Sequence, residues 1–169
     1  MAEIKDSGNR RIFSTGAVRD MQEGKGRCDL MPLDVVSHLL DDDPLIFRLH
    51  EFMMDNNTEH LVSALRMTSS NENSLPWSNI PSMLLDVAKH FEDGAKKYGE
   101  DNWRKGIPVN CYIDSAVRHY LKWLRGDNDE PHDRAFAWNI LCCIWTASMS
   151  KESNFKMMSH AISNANITD

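Results

Sequence analysis

Apolar residues recur at helical spacing throughout the second half of the chain. In SNIPSMLLDVAKHFEDGAKKYG, residues 78–99, Leu84, Val87, Ala88, Phe91, Ala95 and Tyr98 fall three or four apart, and Gly99 closes the run. CYIDSAVRHYLKWLRG, residues 111–126, repeats the pattern with Ile113, Val117, Tyr120 and Leu124, and ends at Gly126. DNDEPHD then opens a last helix, with Asp129 as cap and Pro131 in the first turn. Its body, RAFAWNILCCIWTASM, is apolar on nearly every side, so it belongs at the centre, with Trp138, Leu141 and Trp145 buried.

The first half predicts three shorter helices. Pro32 marks the first turn of one, Asp residues and Pro44 that of the next, and Asn57 or Thr58 caps the third. Residues 1–31, punctuated by Gly8, Gly16, Gly24 and Gly26, read as irregular, and 69–77 as a loop. Residues 151–169 are polar and read as a fraying tail. No segment alternates with the period of a strand. The fold class expected is all-α, a single helical domain over residues 1–150 with three main helices in its C-terminal half.

Composition narrows the functional classes. At 169 residues the chain can enclose one real core. A net charge of −6 argues against a nucleic-acid partner. The longest apolar run, Ala135 to Met149, is broken by Asn139 and is shorter than a membrane span, and no basic start precedes an apolar run near Met1. Cys28, Cys111, Cys142 and Cys143 form no CxxC pair, which argues against a zinc ribbon or a disulfide framework. These features fit a reduced, cytoplasmic protein without a membrane partner.

Charge is unevenly distributed. Residues 89–125 hold eight Lys/Arg against five Asp/Glu, a local excess of +3 in a chain of −6. Such a region suits a polyphosphate that brings its own divalent ion. Within it, Glu92 and Lys96 share one helix side, as do Asp114 and Arg118, with His119 next to Arg118. Each pair reads either as a solvated ion pair or as a carboxylate metal ligand beside a cation for phosphate. Asn139 is the one clearly polar residue between Phe136 and Trp145, and a buried amide needs partners. His132, two turns earlier on the same face, or an acid from the preceding helix is the expected one. His132 and Asp133 also spell a histidine–aspartate dyad. The further Asp that dyad needs is missing, since the only later acids are Glu152 and Asp169.

Three stretches in this order carry a family resemblance: EGKGRCDLMPLDVV, HFEDGAKKYGEDNWRKGIP, and YIDSAVRHYLKWLRGDNDEPHDRAFAWNIL. They resemble the dATP/dGTP diphosphohydrolase N-terminal domain family, common in phages and prophages, and are similar in kind to the all-α MazG-like nucleoside triphosphate pyrophosphohydrolases. The resemblance covers residues 16–33 and 77–146, leaving residues 34–76 as a helical insertion. It implies hydrolysis of a purine deoxynucleoside triphosphate to monophosphate and pyrophosphate with Mg²⁺ or Mn²⁺, in the host cytoplasm if the chain is phage-encoded. It also implies a helical homo-oligomer.

Residue by residue, Glu92, Lys96, Tyr98, Asn102 and Trp103 match the first helical block, and Asp114, Arg118 and His119 the second. Asp129, Glu130, His132, Trp138 and Asn139 match the third, and Lys25 and Arg27 the N-terminal GKGR block. The roles implied are catalysis for Glu92, Asp114 and His132, and metal binding for Glu92, Asp114, Asp129 and Glu130. Substrate contacts fall to Lys25, Arg27, Lys96, Tyr98, Asn102, Trp103, Arg118, His119 and Asn139. Glu92 is expected to face Asp114 across two helices, and Lys25 and Arg27 to fold back onto the site. The MazG-like ExxE and ExxD pairs are absent at Glu92 and Asp114, which are followed at the third position by Ala95 and Val117. Only Glu130 and Asp133 make such a pair. The alternative is a non-catalytic nucleotide-binding protein, such as a phage sponge for a host-defence nucleotide signal.

Overall fold

Six α-helices, two short 3₁₀ helices (Cys28–Leu30 and Asn102–Lys105) and one short hairpin make up the regular structure of the computed structural model, which describes residues 8–69 and 75–165. The helices are α1 (Leu33–Leu39), α2 (Pro44–Asp55), α3 (Thr58–Met67), α4 (Ile80–Tyr98), α5 (Val109–Arg125) and α6 (His132–Ala165). The chain is all-α apart from β1 (Arg10–Ile12) and β2 (Val18–Asp20), which pair antiparallel. Residues 70–74 of the expected loop lie outside the described residues. No helix among the described residues is long and apolar enough to cross a membrane.

Local signals explain the helix ends. Asp43 caps α2, its Oδ1 accepting from the backbone N–H of Leu45 and Ile46. Asn57 caps α3 and Asn79 caps α4 in the same way. Gly99 and Gly126, both at positive φ, end α4 and α5. The backbone of α6 stays helical past Ser150 to Ala165.

The core forms where α5 and α6 pack along their length, with α3 and α4 against α6. Tyr112, Ile113, Ala116, Val117 and Tyr120 of α5 meet Phe136, Ala137, Ile140 and Cys143 of α6. The wholly sealed positions of α6 include Phe136, Ala137, Ile140 and Cys143, while Trp138, Leu141 and Trp145 are only half-buried. Leu45, Ile46, Leu49 and Phe52 attach α2, and the Tyr120 hydroxyl donates to Asp43 Oδ2 at 2.7 Å. The N-cap of α2 is thereby fastened to α5. All four cysteines are free.

The hairpin corrects the expectation of an irregular N-terminal stretch. Its turn is closed by Phe13 N–H to Ala17 O at 2.9 Å, with Gly16 at positive φ. Asn102 docks it: the Asn102 amide accepts from Val18 N–H and donates to Val18 O, both at 2.8 Å. Three-residue strands reading RRI and VRD are too short and too charged to show a period of two.

Candidate functional site

A cavity of about 770 Å³ opens between the hairpin, the exposed end of α4, the 99–103 turn and the facing sides of α5 and α6. Its polar end is built around two guanidinium groups. Arg19, carried in by β2, donates from Nη2 to Asn139 Oδ1 at 2.6 Å and to Ser115 Oγ at 3.0 Å. Arg118 donates to the same Ser115 hydroxyl at 2.9 Å and to Asp114 Oδ2 at 2.6 Å. Arg118 therefore has a carboxylate partner and Arg19 has none among the described residues. The Arg19 Nη1 is shut from solvent and without a partner. Burial works against its charge, and an anion in the cavity would offset that cost.

Lys25 and Lys122 add positive charge to the same wall. Lys25 lies 3.9 Å from Asp20, which also accepts from Lys97 at 2.9 Å. Desolvation lowers the Lys25 pKa despite Asp20, with Arg118 and Lys97 pushing the same way.

The other end is aromatic. Phe91 stands edge-on to Trp103 and Trp138, with ring centroids 5.5 and 5.8 Å apart, while Tyr98 lines the wall between Arg10 and Lys97. Two polar atoms here are buried without partners, His90 Nδ1 and Trp138 Nε1. Burial first, then Arg134, Lys97 and Arg19, lower the His90 pKa to about 4. His90 is thus neutral in the folded state at pH 7, and it gains a proton more readily when unfolded. Its contribution is fully present above about pH 6.5 and is lost as pH falls through 4. Over that window the protein is expected to lose about 3 kcal/mol through this group. Urea titrations of wild type and His90→Gln across pH 4–7 check this, since the variant's stability should change less with pH.

Acids and imidazoles close the rim. His132 is buried, its Nε2 2.8 Å from Asp129 Oδ1 and its Nδ1 3.0 Å from His119 Nδ1. Glu130 Oε1 lies 3.7 Å from each of those Nδ1 atoms, and Lys122 lies near both acids.

Of the residues singled out from the sequence, Lys25, Tyr98, Asn102, Trp103, Arg118, His119, Asp129, Glu130 and Asn139 line this cavity. His132 sits directly behind His119. Several side chains lie elsewhere than expected. Glu92 does not face Asp114; its side chain is 66% exposed and holds Lys96 Nζ at 2.6 Å. The buried stripe of α4 runs through Met83, Val87 and His90, and Glu92 lies two residues after His90, about 200° around the helix. Lys96 points outward for the same reason. Glu92→Gln is expected to leave nucleotide affinity and thermal midpoint at wild-type values, measured by calorimetry and circular dichroism.

Asp114 is buried, but both its oxygens are taken. Oδ1 accepts from the Cys28 backbone N–H at 2.7 Å, and Oδ2 accepts from Gln22 Nε2 at 2.8 Å and from Arg118. It anchors the N-terminal segment to α5 and leaves no free oxygen for a metal. Arg27 forks onto Asp29 with two contacts of 2.6 Å, away from the main cavity. Asn102 uses both ends of its amide on Val18 and so supports the cavity wall without a free group for substrate. Asn139 finds Arg19 as its partner, with its Nδ2 donating to Ala135 O at 2.7 Å. The sequence reading missed Arg19 and His90. The lone amide at Asn139 was the one trace of Arg19, since it signalled a buried polar partner without identifying it.

Helices α4 to α6 and the hairpin together frame this cavity. The family model described as dATP/dGTP diphosphohydrolase, N-terminal, matches residues 66–157. That stretch spans α4, α5 and most of α6, and the chain belongs to this family. No curated protein and no solved structure matches the chain.

Proposed function

We propose that the protein hydrolyses a nucleoside triphosphate, with dATP and dGTP as the foremost candidates, to the monophosphate and pyrophosphate. The observation that carries this reading is Arg19, a guanidinium with one sealed, unpartnered nitrogen and no carboxylate, at the polar end of a cavity whose other end is aromatic. Phosphate oxygens complete Arg19, with Lys25 and Arg118 beside it. A base sits against Phe91 and Trp103. The family supports the reaction class. In the reaction a water oxygen bonds to the α-phosphorus and the α–β bridging oxygen leaves with pyrophosphate.

The resemblance implies Mg²⁺ or Mn²⁺, held by carboxylates. The side chains do not fit a four-carboxylate set: Glu92 points to solvent and Asp114 is engaged by three donors, so Asp129 and Glu130 are left beside imidazoles. The same observation favours a second reading, a nucleotide-binding protein without turnover. Product chromatography after incubation with dATP or dGTP and a divalent ion separates the two. Equal amounts of monophosphate and pyrophosphate support the hydrolase; a stoichiometric complex with no product supports the binder.

A further inference from the structure

We propose that His119, Glu130 and His132 form a three-ligand site for a transition-metal ion of the Zn²⁺ and Co²⁺ class at the cavity rim. The donor atoms are His119 Nδ1, His132 Nδ1 and Glu130 Oε1, separated by 3.0, 3.7 and 3.7 Å. A four-coordinate ion with bonds of about 2.0–2.2 Å spaces its ligand atoms about 3.4 Å apart, so the three donors need only small shifts to close on one ion.

The tautomers favour this arrangement. Asp129 Oδ1 lies 2.8 Å from His132 Nε2, so that nitrogen carries the proton and Nδ1 presents its lone pair toward His119 and Glu130. A carboxylate that orients a histidine through its far nitrogen is the usual support of a metal-bound imidazole. Without an ion, His119 Nδ1 donates to His132 Nδ1. With an ion bound, the His119 proton resides on Nε2 and both Nδ1 lone pairs meet the metal, with no net proton released. His132 is wholly buried and cannot drift from position, while His119 and Glu130 border the cavity. The fourth position therefore faces the cavity, open to water or a ligand oxygen. Lys122 Nζ, 3.8 Å from Glu130 and 3.6 Å from Asp129, balances these acids before a cation arrives.

A competing trio, Asp127, Asp129 and His132, is geometrically close. It is disfavoured because Arg125 already forks onto both oxygens of Asp127. Two imidazoles and one carboxylate suit Zn²⁺ or Co²⁺ and do not suit Mg²⁺, which takes oxygen ligands in an octahedron. The site stands whether or not the cavity takes a nucleotide, and its test uses metal alone.

The full-length, metal-stripped protein is titrated with Co²⁺ and its visible ligand-field absorption followed. One Co²⁺ per chain should give the intense spectrum of a four-coordinate ion. One equivalent of Zn²⁺ should bleach it, and excess Mg²⁺ should not. His119→Ala and Glu130→Gln should each weaken Co²⁺ binding more than 100-fold with thermal midpoints near wild type. Asp129→Asn, which removes only the orienting group, should weaken it about 10–100-fold. Three results would each overturn the site: only the weak spectrum of six-coordinate Co²⁺, ready displacement by Mg²⁺, or full binding in both ligand variants. Loss of nucleotide binding alone would leave it intact.

Discussion

Arg19→Met is expected to weaken triphosphate binding about 30- to 1000-fold while leaving the ligand-free protein as stable as wild type or more so. The first half follows from the value of a preorganised donor aimed at charge, about 2–4 kcal/mol for a single group. The second follows from what Arg19 lacks. Its Nη1 is sealed without a partner and no carboxylate pairs with the guanidinium, so an apolar side chain of similar length removes an uncompensated charge. Asn139 and Ser115 lose a donor in exchange, which limits the gain. Calorimetric titration with dATP and a urea melt of the same samples give the two numbers. A variant that binds dATP normally but unfolds easily would make Arg19 a structural residue.

Asp114→Ala is expected to show the reverse balance, a loss of about 3 kcal/mol in folding stability. The Asp114 side chain is 1% exposed and serves three donors, one of them the Arg118 guanidinium. Truncation leaves Arg118 half-buried without its carboxylate, and removal of one partner from such a pair costs about 3–5 kcal/mol. It also frees Gln22 and the Cys28 amide, so residues 22–28 should exchange amide hydrogens faster than in wild type. A variant with wild-type stability and abolished turnover would return Asp114 to the chemical role first expected of it.

These two residues show what the sequence could and could not reveal. Helix ends were legible because caps and prolines act locally, as at Pro44, Asn57 and Gly99. Asn139 was legible because one amide in an apolar helix demands a partner, and Asp129 and Glu130 because they lie just ahead of that helix. Glu92 misled because the face of α4 was assigned by hydropathy. Leu84, an apolar residue of the helical pattern, is 45% exposed, while His90, a polar residue, is 8% exposed. The stripe was thus rotated by a residue, enough to turn Glu92 from the cavity to solvent. Arg19 was beyond reach because it arrives on a hairpin whose docking depends on Asn102, more than eighty residues away. Local pattern carries no trace of such a contact.

On the proposed function the cavity recognises a phosphate chain and a base together. Titration of the full chain with deoxyadenosine, dAMP and dATP, without added metal, tests it most directly. The cavity described here predicts one site per chain, with affinity rising at each step from nucleoside to monophosphate to triphosphate and the gain for dATP lost in Arg19→Met. Equal affinity for deoxyadenosine and dATP, or dATP binding indifferent to Arg19, would contradict it.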